Sequence, residues 1–134
     1  MSAAESCLNL DRLCAQYGWE MARQVHDALR NITENHITKS LGVLEEDGLY
    51  AFFLYQDSRK SERAGAVRLR EQAHELLKSA GIKPFDAVSD SLQAVRGNEI
   101  TKGLADDLDS LLLAKRLLEQ ALIYARHHAK ALGE

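Results

Sequence analysis

The residues whose spacing could do chemistry are cations. Arg59, Lys60, Arg63, Arg70 and Lys78 would share an arc of about 100° on an ideal helix, with His74 inside it. Arg68 points elsewhere, and Glu62, Glu71 and Glu75 fall outside the arc, so few i,i+4 pairs neutralise it. A row of unmatched positive charges suits a phosphate backbone, because each cation that meets a phosphate releases a counterion. The blander reading is a solvated helix face. The charge is unevenly distributed: residues 58–83 hold 7 bases against 3 acids, residues 1–57 hold 4 against 9, and residues 84–134 hold 6 against 8. Such a run is usually a solvated face, so the one-sided arc within it is what points to a polyanion. The net charge of −3 argues against a nonspecific nucleic-acid coat, so any positive field is local.

Two further stripes carry cations. Arg12, Trp19, Arg23 and Arg30, with His26 beside them, stay within an arc of about 60°, opposite an apolar face. An aromatic among arginines is used to track phosphates and stack bases, and the same pair of residue types favours protein interfaces. A third possibility is an ordinary exposed face with the tryptophan tucked against a neighbour. Near the C-terminus, Lys115, Arg116, Arg126, His127 and Lys130 share a narrower polar side with Glu119. There the cations also suit the helix dipole. His128 falls on the apolar side and reads as a packed histidine.

Other chemistry is not encoded. The chain has no nucleophile elbow, glycine-rich phosphate loop or zinc-spaced Cys/His set, so no enzyme activity, cofactor or metal is expected. Adjacent imidazoles at His127 and His128 diverge by about 100°, which suits no single metal. Cys7 and Cys14 fit neither a redox pair nor a zinc half-site, and Cys14 reads as a small buried side chain. The uncharged run Gly48–Gln56 is far shorter than the ~20 residues of a membrane span. The start of the chain lacks the basic-then-apolar pattern of a signal peptide. A cytoplasmic protein with no membrane partner is the expectation, folded as one domain over residues 1–134.

Periodicity predicts an all-α, single-domain bundle of about five to six helices with a long C-terminal helix. Leu10, Leu13, Cys14, Tyr17, Met21, Val25, Ala28, Leu29 and Ile32 hold one face for about six turns. Gly18 interrupts that face at about 1 kcal/mol relative to alanine. A shorter helix covers Thr38 to Glu45. The run "LYAFFLY" has strand-like composition, but no other segment offers a partner strand. Leu49, Phe52, Phe53 and Gln56 suit i, i+3, i+4, i+7, so this run is read as a short buried helix starting at Asp47 or Gly48. The middle helix runs from Lys60 to Ala80, with Ala66, Leu69, Ala73 and Leu76 inward and Gly81 closing it. A weak helix covers Phe85 to Val95. The last runs from Leu104 to Leu132 through the middle of the bundle, its start favoured by Asp106, Asp107 and Asp109.

Two stretches resemble a known family. "LGVLEEDGLYAFFLYQDSRKS" (Leu41 to Ser61) is similar to the segment of the type III-B CRISPR small subunit in which a helix end precedes a glycine-leucine pair, an alanine-phenylalanine helix and a serine-lysine end. "DDLDSLLLAKRLLEQALIYARHHAKAL" (Asp106 to Leu132) resembles that family's closing helix. Together they cover about a third of the chain. The resemblance implies a non-catalytic subunit of an RNA-guided effector ribonucleoprotein in antiviral defence. Its partners would be the guide and target RNA backbone, other CRISPR effector subunits, and copies of itself in a stacked filament. Charge geometry, not a motif, nominates the RNA-facing residues: Arg59, Lys60, Arg63 and Arg70 first, then Arg23, Arg30, Arg126 and Lys130. Trp19 and Arg12 are expected at a protein interface. The competing expectation is a helical adaptor that binds only protein.

Overall fold

The computed structural model describes the backbone of residues 3–98 and 102–133, with side chains from residue 9 onward. The side chain of Cys7 therefore lies outside the described residues. Among the described residues six α-helices follow one another: α1 (Ala3–Leu29), α2 (Thr33–Asp47), α3 (Leu49–Ser58), α4 (Arg63–Ser79), α5 (Ser91–Arg96) and α6 (Leu108–Leu132). Short 3₁₀ turns at Arg30–Ile32 and Leu104–Asp106 precede α2 and α6. No strand occurs among the described residues, and no helix among them is long and apolar enough to cross a membrane.

The long helices α1 and α6 run parallel, side by side. Cys14 donates to the Leu117 carbonyl (3.4 Å), and Trp19 stands edge-on to His128, ring centroids 5.2 Å apart. Between these contacts Gly18 meets α6 without a side chain. A Cβ there would lie 2.7 Å from Tyr124 Cβ and 2.8 Å from the Ala121 carbonyl oxygen. The glycine that looked like a flaw in the apolar pattern is what allows the two backbones to approach. Close packing there offsets its propensity cost. Burial raises the Cys14 thiol to about 11, with the Asp11 carboxylate adding to the rise. That keeps it a small apolar filler instead of a reactive thiolate.

Helix α4 runs antiparallel to α1. Gly65 packs directly on the Leu29 side chain, Arg68 donates to the Gln24 carbonyl (3.1 Å), and Ser79 meets the Tyr17 hydroxyl (2.9 Å). Helix α2 runs back along α6, with Lys130 near Glu34 at one end (3.9 Å) and Lys115 donating to the Glu45 carbonyl at the other (3.3 Å). The aromatic run forms α3 as expected, with Leu49, Phe52, Phe53 and Gln56 all buried. Gly48, at φ +98°, makes the sharp entry into it.

Several boundaries differ from the sequence reading. The first helix stops at Leu29, not Ile32, because Arg30 adopts φ +55°. The Thr33 hydroxyl then donates to the Arg30 carbonyl (2.7 Å) and α2 begins five residues before its expected start. Helix α4 begins at Arg63 instead of Lys60. Its end matches the expectation: Gly81 N–H bonds Lys78 O and Ile82 N–H bonds Leu77 O, a Schellman closure with Gly81 at φ +80°. Most of the expected 85–95 helix is a turn, and only Ser91–Arg96 is helical, capped by Asp90, which accepts from the Leu92 N–H (3.1 Å). In α6 the N-cap is Asp107, while Leu104–Asp106 forms a separate turn. The first turns of α6 do not run through the core, since Leu108, Leu112 and Leu113 are exposed.

Candidate polyanion-binding end

The contacts above place five segments at one end of the bundle: the end of α1, the starts of α2 and α4, the 59–62 link between α3 and α4, and the end of α6. Cations gather there. Arg30, Lys60 and Arg63 are exposed, and Arg59 and Arg126 are half-buried. None of the five has a carboxylate partner among the described residues. Lys130 lies 3.9 Å from Glu34, too far for a strong pair. The Arg59 guanidinium lies 4.4 Å from the centre of the Tyr55 ring. Its one side-chain hydrogen bond is a long one to Ser58 Oγ at 3.5 Å, and its Nε has no partner among the described residues.

This cluster is not the single helical stripe that spacing suggested. Arg59 and Lys60 lie on the link before α4, so their alignment with Arg63 comes from the path of that link. Arg70 lies two turns along α4, where Asp57 of α3 pairs with it at 2.7 Å and Asp90 stands 4.0 Å away. Its charge is matched within the fold. His74 is not on the polar arc. It is buried, with Nδ1 2.8 Å from Ser91 Oγ and its ring 4.9 Å from Phe85. Burial lowers its pKa, opposed in part by a hydrogen bond with the Phe85 backbone. Lys78 belongs to the other end of α4.

The stripe on α1 also divides. Arg23 pairs with Glu20 at 2.8 Å, and Arg30 leaves the helix line through its positive φ. Arg12 is exposed several turns away from Arg30. Trp19 remains 43% exposed while its edge covers His128. His128 is half-buried, and its ring neighbour is that tryptophan.

A buried polar network holds the link, and sequence reasoning missed it. His36 and Ser40 are fully buried and Gln56 nearly so. The Ser40 hydroxyl donates to the His36 carbonyl (2.8 Å), so its oxygen accepts from Gln56 Nε2 (2.8 Å). Gln56 therefore turns Oε1 toward His36 Nε2 (2.9 Å), which must carry a proton. On the other side of the ring, His36 Nδ1 lies 2.9 Å from Glu62 Oε1. One signal was available: Gln56 occupies a core position of α3, and a buried amide requires polar partners.

The opposite end is apolar and carries two clusters of acids, with Lys83 and Lys102 on the same surface as the second. It carries Glu45, Glu46 and Asp47 at the end of α2 and Asp106, Asp107 and Asp109 around the start of α6. Leu108, Leu112 and Leu113 are 66%, 50% and 43% exposed beside them. No family model matches the chain, and neither a curated protein nor a solved structure is significantly similar to it.

Proposed function

We propose that this chain is a non-catalytic, RNA-backbone-binding helical subunit of the type III CRISPR effector kind, acting in a cytoplasmic ribonucleoprotein. The observation that supports this most is the gathering of Arg30, Arg59, Lys60, Arg63 and Arg126 at one end without internal carboxylate partners. Cations that no internal carboxylate neutralises are free to exchange counterions for phosphates. The contact would be sequence-independent, because it positions a backbone and reads no base edges. Stacked copies fit the opposite polarity of the two ends. The acidic, leucine-bearing end of one copy complements the basic end of the next.

The test is titration of a fluorescent single-stranded oligouridylate at about 50 and about 200 mM salt. Weak binding that falls steeply with salt is expected. A triple substitution of Arg59, Lys60 and Arg63 by alanine should flatten the dependence. Absent or salt-independent binding overturns the proposal. It would favour the second reading, a helical adaptor that binds no nucleic acid, for which the exposed Leu108, Leu112 and Leu113 supply the specific observation.

A further inference from the structure

Helix α4 begins without a side-chain cap. Its N-cap residue is Glu62, and that side chain makes no hydrogen bond to the helix's own N–H groups. N-cap side chains ordinarily do that. Glu62 instead reaches back to His36 on α2, 26 residues earlier in the chain. His36 is in turn locked through Gln56 of α3 and Ser40 of α2. The residues immediately beside Glu62 are Lys60, Ser61 and Arg63, with Arg59 at the start of the same link. Three backbone bonds involve that link: Arg59 N–H to Gln56 O at 3.3 Å and Arg63 N–H to Lys60 O at 3.4 Å, both long, and Ala66 N–H to Glu62 O at 2.9 Å, which leaves residues 59–61 the loosely held part.

We infer that Glu62 is a positioning residue for polyanion binding: through His36 it tethers the 59–62 link and holds Arg59, Lys60 and Arg63 in register. This rests on the proposed function and deepens it. The inference opposes simple electrostatics. Glu62 is an acid among cations, so its removal should strengthen binding of a negative ligand if charge alone matters. If the tether matters, the result depends on what replaces it. Glutamine keeps a group that can hydrogen-bond His36 Nδ1, whichever way the shared proton lies. Alanine keeps nothing and leaves a buried ring nitrogen without a partner. The two substitutions change charge equally, so charge cannot account for a difference between them.

The experiment measures oligouridylate affinity of wild type, E62Q and E62A at the same two salt concentrations, with amide hydrogen exchange of residues 59–63 in each. E62Q should bind as well as wild type or slightly better. E62A should bind about tenfold more weakly than E62Q and show a flatter salt dependence, although no cation has been removed. Exchange in the link should rise in E62A alone. If E62A proves too unstable, E62D keeps the charge but is one methylene shorter, and is expected to weaken binding where electrostatics expects no change. Equal binding by E62A and E62Q, both tighter than wild type, overturns the inference. Unchanged exchange in the link overturns it as well, even if wild type binds no oligonucleotide. Loss of all wild-type binding would instead defeat the proposed function, so the two failures are distinguishable.

Discussion

At the acidic end of the bundle two carboxylates, Asp106 and Asp107, are bonded inside the fold, whereas five cations at the basic end meet no carboxylate among the described residues. Asp107 caps α6, accepting from the Ser110 hydroxyl (2.8 Å) and N–H (3.3 Å), and those bonds hold its carboxyl below the usual range. Asp106 accepts from the Gly103 N–H at 2.9 Å. Such carboxylates are committed to their own backbone. Arg30, Lys60 and Arg63 meet no acid among the described residues, and Glu62, the acid nearest Lys60 and Arg63 in sequence, is taken up by His36. Sign alone therefore does not mark a functional charge. A charge that the fold leaves without a partner is the better candidate, and by that criterion Arg70 and Arg23 fall behind Arg30, Arg59, Lys60 and Arg63.

The most disruptive test acts on the waist that joins the two ends. Helices α1 and α6 span the distance between them and meet at Gly18. G18V should force the backbones apart and cost about 3 kcal/mol, read as a lower urea midpoint. Gly42, in α2, has nothing within 4 Å of a built Cβ, so G42A should stabilise by about 1 kcal/mol. If both glycines tolerate substitution equally, the close crossing of α1 and α6 is wrong.

Next in size is a matched exchange of charge between the ends. Removing Arg59, Lys60 and Arg63 together should cut oligouridylate affinity at least tenfold and reduce the magnitude of the salt slope by about 2, at about 0.7 per single-strand phosphate contact. Removing Lys83, Arg96 and Lys102 from the opposite end is the same change in net charge. Lys83 already pairs with Asp86 at 2.7 Å, and Arg96 bonds the Tyr50 hydroxyl at 3.3 Å. That triple should leave affinity nearly unchanged. Equal losses would mean that only net charge matters and the ends are equivalent.

The fold was legible where burial is apolar and local. Helix α3 followed from Leu49, Phe52 and Phe53 at helical spacing, and the closure of α4 followed from Gly81. The first turn of α2 was hidden because its inward residues Thr33 and His36 are polar. The stop at Leu29 depends on Arg30 in a backbone region that arginine rarely enters, which apolar spacing does not record. The candidate site was half legible for a related reason. A helical projection finds cations on one element, but it cannot see Asp57 arriving from α3 to match Arg70. Nor can it see α1, α4 and α6 delivering Arg30, Arg63 and Arg126 to the same end. Convergence of that kind is a property of tertiary path.

A smaller effect is expected from the leucines of the acidic end. Replacing Leu108 and Leu112 by glutamate should change stability by no more than about 0.5 kcal/mol, because both side chains are already largely in water. Any association between copies should be lost in sedimentation velocity, since the added acids repel and the apolar contact is gone. A wild type that stays monomeric at high concentration would remove self-stacking from the proposed function and leave the leucines to a different partner.

The smallest effect concerns the two buried histidines, one in each half of the bundle. His36 faces a carboxylate, whereas His74 sits against Phe85 with Ser91 as its side-chain partner. Burial lowers the His74 pKa, and Lys78 and Arg70 add to that, while the Phe85 backbone bond and Glu75 oppose it. A depressed folded-state value means that the unfolded chain takes up the proton first. The stability due to a neutral ring is therefore complete above the ordinary histidine value of about 6.5 and declines as pH falls from there to the folded-state value. H74Q retains a side chain able to bond Ser91 but cannot titrate. The difference in unfolding free energy between wild type and H74Q should then shift against wild type as pH drops from about 7 to about 5. Carboxylates elsewhere are common to both proteins and cancel in that difference. A shift in favour of wild type would mean that the folded ring gains a proton, with Glu71 or Glu75 from the adjoining groove drawn in as its counter-ion.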